Sequence, residues 1–197
     1  MSNLVIIGAG GHTRAIVSTA KLMKRWNHFR ILDINFKGGH EYILGVKVYD
    51  YNEFIKDFKP KNNTFFISLG DNLMRKKIYT DLTQNNKIKF TNIIHPISYM
   101  DESVDIGIGN FIAQFANLGP ESKIGDFNII NTHSNLEHES IIGSYNHLAP
   151  SSTICGKTKI EDNIFLGSNA VIIEKIKIAK NTIIGAGAVV TKSIDSS

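Results

Sequence analysis

"IIGSYNHLAPSSTICGKTKIEDNIFLGSNAVIIEKIKIAKNTIIGAGAVV" runs from Ile141 to Val190. Steps of six from Ile142 land on Leu148, Ile154, Ile160, Leu166, Ile172, Ile178, Ile184 and Val190, all of them aliphatic. Toward the N-terminus the same register takes Leu136, Ile130, Ile124, Leu118, Ile112 and Ile106, which makes fifteen aliphatic positions without a break. It carries back further to Met100 and Ile94. The residue after each is usually small, as at Gly107, Gly125, Gly143 and Gly167, and so is the fourth after many, as at Ser122, Ser140 and Ala170. A period of six belongs to neither a helix nor a heptad; it is the hexapeptide signature of a parallel β-helix. Three hexads close one triangular coil, so residues 18 apart stack and fifteen hexads predict five coils. An isoleucine-rich β protein with accidental spacing is the competing reading, and the unbroken run sets it aside.

Residues 1 to 93 follow a different grammar. "NLVII", "FRILDI", "GVKVYD", "NTFFISLG" and "KIKFTNII" read as strands. "GAGGHTRAIVSTAKLMKRW", "YNEFIKDF" and "DNLMRKKIYTDLTQ" read as helices between them. Strand–helix alternation predicts parallel βαβ units. The half is too short for a complete two-part dinucleotide fold. The expected organisation is therefore a small Rossmann-like α/β domain over 1–93 and a hexapeptide-repeat β-helix over 94–197.

Composition narrows the function classes. The chain has 197 residues and a net charge of +4 with scattered basic residues, which argues against a nucleic-acid face and suits an anionic small molecule. No apolar stretch is long enough to span a bilayer, and the N-terminus lacks signal-peptide order. The single cysteine, Cys155, excludes an internal disulfide and predicts a reducing, cytoplasmic setting. Cys155 is also the sole candidate thiol nucleophile, but it occupies a small-residue hexad position and reads as packing.

Chemistry concentrates in "NTHSNLEHESIIGSYNHLAP", Asn131 to Pro150, which holds three of the seven histidines. His138 is flanked by Glu137 and Glu139. A neutral imidazole oriented by a carboxylate is a general base, and either glutamate is a candidate orienter. The rival reading is zinc: His133 and His138 are five apart, and His95 lies 38 upstream of His133, but a catalytic zinc site needs three ligands and an open position. Elsewhere, "GAGGH" (Gly8 to His12) follows a strand and opens a helix, so its amides suit phosphate oxygens. The third glycine of the full motif is replaced by Thr13. Asp33 ends the next strand, and "LGDN" turns at the same edge. Arg75 and Lys76 read as an exposed helical face available for charge.

A βαβ domain opening with "IIGAGGH", followed by hexapeptide repeats carrying "EHES" and "NHLAP", resembles the bacterial sugar acetyltransferases. Within that group it most resembles the N-acetyltransferases that modify the C4 amine of a nucleotide-linked 4-amino-4,6-dideoxy sugar, as in bacillosamine synthesis. Sialic acid O-acetyltransferases share the layout. The resemblance implies a left-handed β-helix, a homotrimer with sites between subunits, and acetyl-coenzyme A as co-substrate without a metal. It implies His138 with Glu139 as the catalytic pair. It implies Asn131, His147, Gly156 (a backbone donor to the oxyanion), Ser168 and Ala186 around the coenzyme. It places Gly10, Gly11, His12, Asp33 and Gly70 at the sugar nucleotide, with Ile34 where bacillosamine-type enzymes carry an acid that contacts the base. UDP is the first expectation, with dTDP and GDP open. The alternatives are O-acetylation of a sialic-type sugar and, more distantly, a γ-class carbonic-anhydrase-like zinc protein. The family's Gly-x-Pro-Ala turn is absent from "TKSIDSS", so the turn is dispensable or the sequence truncated, with weaker coenzyme affinity as the expected consequence.

Overall fold

The computed structural model describes residues 3–56, 63–84 and 87–195. The chain divides into two compact units, Met1–Ile93 and Ile94–Ser197.

In the first unit the strands β1 (Asn3–Ile7), β2 (His28–Asp33), β3 (Tyr42–Ile43), β4 (Val46–Asp50) and β5 (Asn63–Ile67) form one sheet in the order β3-β4-β2-β1-β5. Leu4 to Ile7 are fully buried, as a central parallel strand covered on both faces requires. The helix α1 (Gly11–Leu22) buries Ile16, Val17 and Ala20, one apolar stripe. The helix α2 is Tyr51–Lys56; the rest of the segment read as helical, with Asp57 and Phe58, lies outside the described residues. The helix α3 (Asn72–Thr83) starts on Asp71, whose side chain accepts the Met74 N–H at 2.7 Å and caps the first turn.

Two readings of this half need correction. The sheet is not all parallel: β3 pairs antiparallel with β4 through a two-residue turn at Leu44 (φ 48°) and Gly45 (φ 77°). Such short hairpins need positive φ at both turn residues, and only the second carries the expected glycine. "KIKFTNII" is not a full strand either: Phe90 forms an isolated bridge to Phe65, and regular pairing resumes at Ile93–Ile94.

The second unit is a left-handed parallel β-helix of hexapeptide repeats. Two-residue strands build three sheets of six, five and six strands, each strand pairing in parallel with the one 18 residues on. The predicted aliphatic positions from Ile112 to Ile184 form one buried column, and Ile94, Ile106 and Val190 pack partly buried at its ends. The corners repeat as well. From Phe115 to Asn181 the residue three after each aliphatic has φ between 55° and 64°, a left-handed conformation at side-chain-bearing residues that include Phe115, His133, Glu139 and Tyr145. Each costs on the order of 1 kcal/mol relative to glycine, so the coil hydrogen bonds must hold them. One set of corners is locked from inside by a ladder of buried asparagines. Asn128 N donates to Asn110 Oδ1 (2.7 Å), Asn146 N to Asn128 Oδ1 (2.8 Å) and Ile164 N to Asn146 Oδ1 (2.7 Å).

Candidate active site

His138 and Glu139 sit at the corner between the strands Asn135–Leu136 and Ile141–Ile142. The backbone there is fixed on both sides, because Glu139 N donates to Pro120 O (2.9 Å) and Lys157 N to His138 O (3.0 Å). With Glu139 left-handed, its side chain turns back on its neighbour, and Oε2 lies 3.0 Å from Nδ1 of His138. Lys157 Nζ stands 3.5 Å from the same oxygen. The histidine contact first, and the lysine charge after it, hold the Glu139 carboxyl below the usual carboxylate range. An ionised Glu139 favours the proton on Nδ1, which leaves Nε2 as the free base. Glu137 does not compete for the ring: its Oε1 accepts from Asn135 Nδ2 at 2.6 Å.

Nε2 faces a gap made by a missing side chain. Gly156 stacks 18 residues after His138, and a Cβ built on it would lie 2.6 Å from Nε2 and 2.7 Å from Cε1. The imidazole therefore occupies the space above the Gly156 backbone. The amides on either side are used, Cys155 N by Ile172 O and Lys157 N by His138 O. Among the described residues no protein acceptor takes the Gly156 N–H. A ring nitrogen thus lies over a residue whose main-chain N–H has no protein acceptor among the described residues, and acyl transfer uses one group of each kind. The Cys155 thiol is pushed up by burial and then by the Glu137 and Glu174 charges, a poor setting for a thiolate nucleophile.

Asn131, His147, Ser168 and Ala186 lie elsewhere. His147 heads the strand His147–Leu148 and packs edge-on against Phe165, its partner one coil on, with ring centroids 5.2 Å apart. Asn131 holds its own turn, accepting Thr132 N on Oδ1 at 2.8 Å. Ser168 and Ala186 stack at the corner that follows this sheet, where Gly187 N donates to Ser168 O (2.8 Å). The four follow one edge of the solenoid, and His138 with Gly156 occupies the next corner of the triangle. His133 stands on the Ser168 corner, stacked on Phe115 at 4.8 Å. Of the three histidines weighed as zinc ligands, His133 and His138 therefore stand on different corners. No group of three or more His, Cys, Asp or Glu side chains gathers among the described residues.

In the first unit, a cavity of about 450 Å³ opens at the carboxyl ends of β1, β2 and β5, where strand order reverses. Gly10, Asp33 and Ile34 line it with Ala9, Asn35, Lys37, Gly38, Glu41 and Leu69. Gly11 and His12 begin α1 beside it, and Gly70 follows Leu69. Gly8 (φ 113°) lets the β1 loop pass close to the β5 loop: a Cβ there would meet Leu69 Cδ2 at 2.9 Å and Ser68 Oγ at 3.0 Å. The two loops are joined by buried hydroxyls, Thr13 Oγ1 donating to Gly8 O (2.9 Å) and lying 2.8 Å from Ser68 Oγ. Arg75 is a correction. It is 1% exposed, not on a solvated face, and donates to Leu69 O (2.8 Å) and Asn72 Oδ1 (2.7 Å), bracing the Gly70 loop from beneath. Lys37 and Glu41 had no sequence signal, since they sit in an irregular loop after Asp33. The asparagine ladder did have one, its spacing of 18.

Comparison with known proteins places both halves. Residues 3–82 match the PglD N-terminal domain, and residues 157–192 match the bacterial transferase hexapeptide (six repeats). UDP-N-acetylbacillosamine N-acetyltransferase of Bacillus subtilis is 32% identical over 117 residues, 57% of this chain and 51% of that protein. The chain thus spans about half the length of the curated relative it matches. PerB from Caulobacter crescentus, solved with CoA and GDP-perosamine, superposes with a TM-score of 0.90 at 29% identity, covering 100% of this chain and 92% of that one. A histidine-to-alanine mutant of GDP-perosamine N-acetyltransferase from the same organism, also with CoA and GDP-perosamine, gives 0.90 at 28%, covering 98% and 90%. No helix among the described residues is long and apolar enough to cross a membrane.

Proposed function

We propose that this chain, which joins a PglD N-terminal domain to bacterial transferase hexapeptide repeats, moves the acetyl group of acetyl-coenzyme A onto the amine of a nucleotide-linked 4-amino-4,6-dideoxy sugar. The observation that carries the reading is the His138–Glu139 pair poised over Gly156. The relatives supply the substrate class: one is named for a UDP-linked sugar, and another is held with CoA and a GDP-linked one.

The acceptor amine, once its extra proton has passed to solvent, attacks the thioester carbonyl carbon. As the C–N bond forms, Nε2 of His138 takes a proton from the nitrogen, and Glu139 steadies the resulting imidazolium. The carbonyl oxygen becomes an oxyanion, for which the Gly156 N–H is the donor in this proposal. Collapse breaks the C–S bond, and the imidazolium proton passes to the departing sulfur. The products are the N-acetyl sugar and free coenzyme A, and no acyl-enzyme forms on Cys155.

The cavity beside Gly10, Asp33 and Gly70 is proposed to hold the nucleotide diphosphate, with phosphate oxygens near the Gly10–His12 amides at the head of α1. Asp33 would then meet a ribose hydroxyl and Ile34 the base, with UDP ahead of dTDP and GDP. Asn131, His147, Ser168 and Ala186 are assigned to the coenzyme. Because they run along a different edge from His138, we assign the complete site to a homotrimer in which one subunit supplies the base and its neighbour the coenzyme edge.

Thiol release from acetyl-coenzyme A with a panel of UDP-, dTDP- and GDP-linked 4-amino sugars tests the reading. Turnover with one of them, lost in His138→Ala with coenzyme binding intact, is expected. Release with sialic acid alone would move the assignment to O-acetylation.

A further inference from the structure

The residue before His138 in the chain, Glu137, carries a second carboxylate that the acetyl-transfer scheme does not use. Glu137 and His138 follow the inward-facing Leu136, and the residues one coil on are Cys155 and Gly156. The His138 ring overlies Gly156, while the Glu137 charge acts on the Cys155 thiol. Carboxylate and imidazole therefore hang over consecutive residues of the same coil.

Glu137 is held by a built arrangement. Asn117 Nδ2 donates to Asn135 Oδ1 at 2.6 Å, which turns the Asn135 amide so that its own Nδ2 donates to Glu137 Oε1 at 2.6 Å. The two asparagines face each other across paired strands, so the relay descends the sheet one coil at a time and ends at the carboxylate. Other glutamates of the solenoid are paired with lysines: Glu139 with Lys157 and Glu174 with Lys175 on the same corner, and Glu161 with Lys177 on another. Among the described residues Glu137 has no such cation, although the repeat sets lysines beside the other three. A half-buried, oriented anion without a counter-charge is a seat for a cation brought from outside.

We propose that Glu137 receives the protonated amine of the acceptor, which makes the acceptor class an alkylammonium and not an alcohol. The assignment rests on the acetyltransferase reading above and deepens it. An amino sugar arrives mostly as its ammonium ion. Glu137 holds that ion at the His138 corner, so the amine is already in place when its extra proton passes to solvent and its neutral form attacks, His138 taking the next proton as the C–N bond forms. A hydroxyl has no charge to offer, and Glu137 gives it nothing comparable.

The test compares Glu137→Gln with the parent, using the nucleotide-linked 4-amino sugar as substrate and the matching 4-hydroxy sugar nucleotide as competitive inhibitor. Glutamine keeps the Oε1 acceptor for Asn135 and removes only the charge. The expected result is a KM for the amino sugar raised by about tenfold, the worth of one charge-assisted contact, with the inhibition constant of the hydroxy analogue and the KM of acetyl-coenzyme A unchanged. Asn135→Ala, which releases the carboxylate without removing it, should give a smaller rise of the same kind. An unchanged KM in Glu137→Gln, or equal weakening of the amine and hydroxy ligands, overturns the proposal while leaving acetyl transfer standing. A parent enzyme that acetylates a hydroxyl and no amine overturns it as well. A parent that releases no thiol with any acceptor removes the acetyltransferase reading itself, and Glu137's role with it.

Discussion

Replacing Gly156 by alanine isolates the geometry of the proposed base. The new Cβ would stand 2.6 Å from Nε2, 2.7 Å from Cε1 and 3.2 Å from Cδ2 of His138. Ordinary contact begins at 3.4 Å, so the ring reaches it by retreating about 3.4 − 2.6 = 0.8 Å. The ring is free to do so, because its side chain is 52% exposed and the obstructing atoms are side-chain atoms. The backbone at Gly156 is outside the left-handed region, so alanine adds no strain. Folding stability should therefore stay within about 1 kcal/mol: an exposed ion pair is worth little, and the loss of unfolded-chain freedom offsets part of it. Catalysis is far less tolerant. Misplacing a reacting group by nearly 1 Å lowers turnover on the order of a hundredfold, about 2.7 kcal/mol of barrier. The assay is steady-state thiol release beside a thermal melt and a coenzyme-binding titration. A kcat near one-hundredth of the parent with Tm and coenzyme affinity held is expected. A kcat within threefold of the parent would refute the assignment of Nε2 as the base. Gly119→Ala is the contrast: its Cβ would meet backbone atoms of residues 136–138 at 2.9–3.0 Å, so folding suffers first.

Glu139→Gln should lower kcat on the order of tenfold, part of the roughly 10²–10⁴ that a positioned base supplies. The Glu139 carboxyl is lowered in the folded protein, so its stabilising effect is present above the ordinary carboxylate range and is lost as pH falls through the lowered value. The Tm gap between parent and Glu139→Gln should accordingly shrink in acid, and a gap that widens there would contradict the pairing. Asn128→Ala strips the middle of the asparagine ladder, leaving Asn146 N and Gly143 O without their partner; a loss of about 2–4 kcal/mol in urea unfolding is expected. Arg75→Lys cannot reproduce contacts to both Leu69 O and Asn72 Oδ1, and should raise the KM for the sugar nucleotide severalfold while sparing that for acetyl-coenzyme A.

The solenoid was legible because its period is enforced at every turn: Ile112 to Ile184 fill one narrow interior, where a polar residue would be buried without a partner. The edge hairpin was not, since Tyr42–Ile43 offers two residues of pattern and Leu44 carries a left-handed φ that no turn rule assigns to leucine. Arg75 was misread for a related reason. On a helix wheel a long cation belongs outside, and its burial depends on carbonyls of the preceding loop, which periodicity does not reveal. Spacing of 18 placed Gly156 below His138, but the choice between Glu137 and Glu139 as the ring's partner lay beyond it. That choice is made at the corner. Glu139 is left-handed and folds back onto the ring, whereas Glu137 still follows the strand and is drawn to Asn135. Two identical side chains flanking one histidine thus take different roles because the chain turns between them. The first is held by the Asn135 amide, and the second turns its charge onto the imidazole.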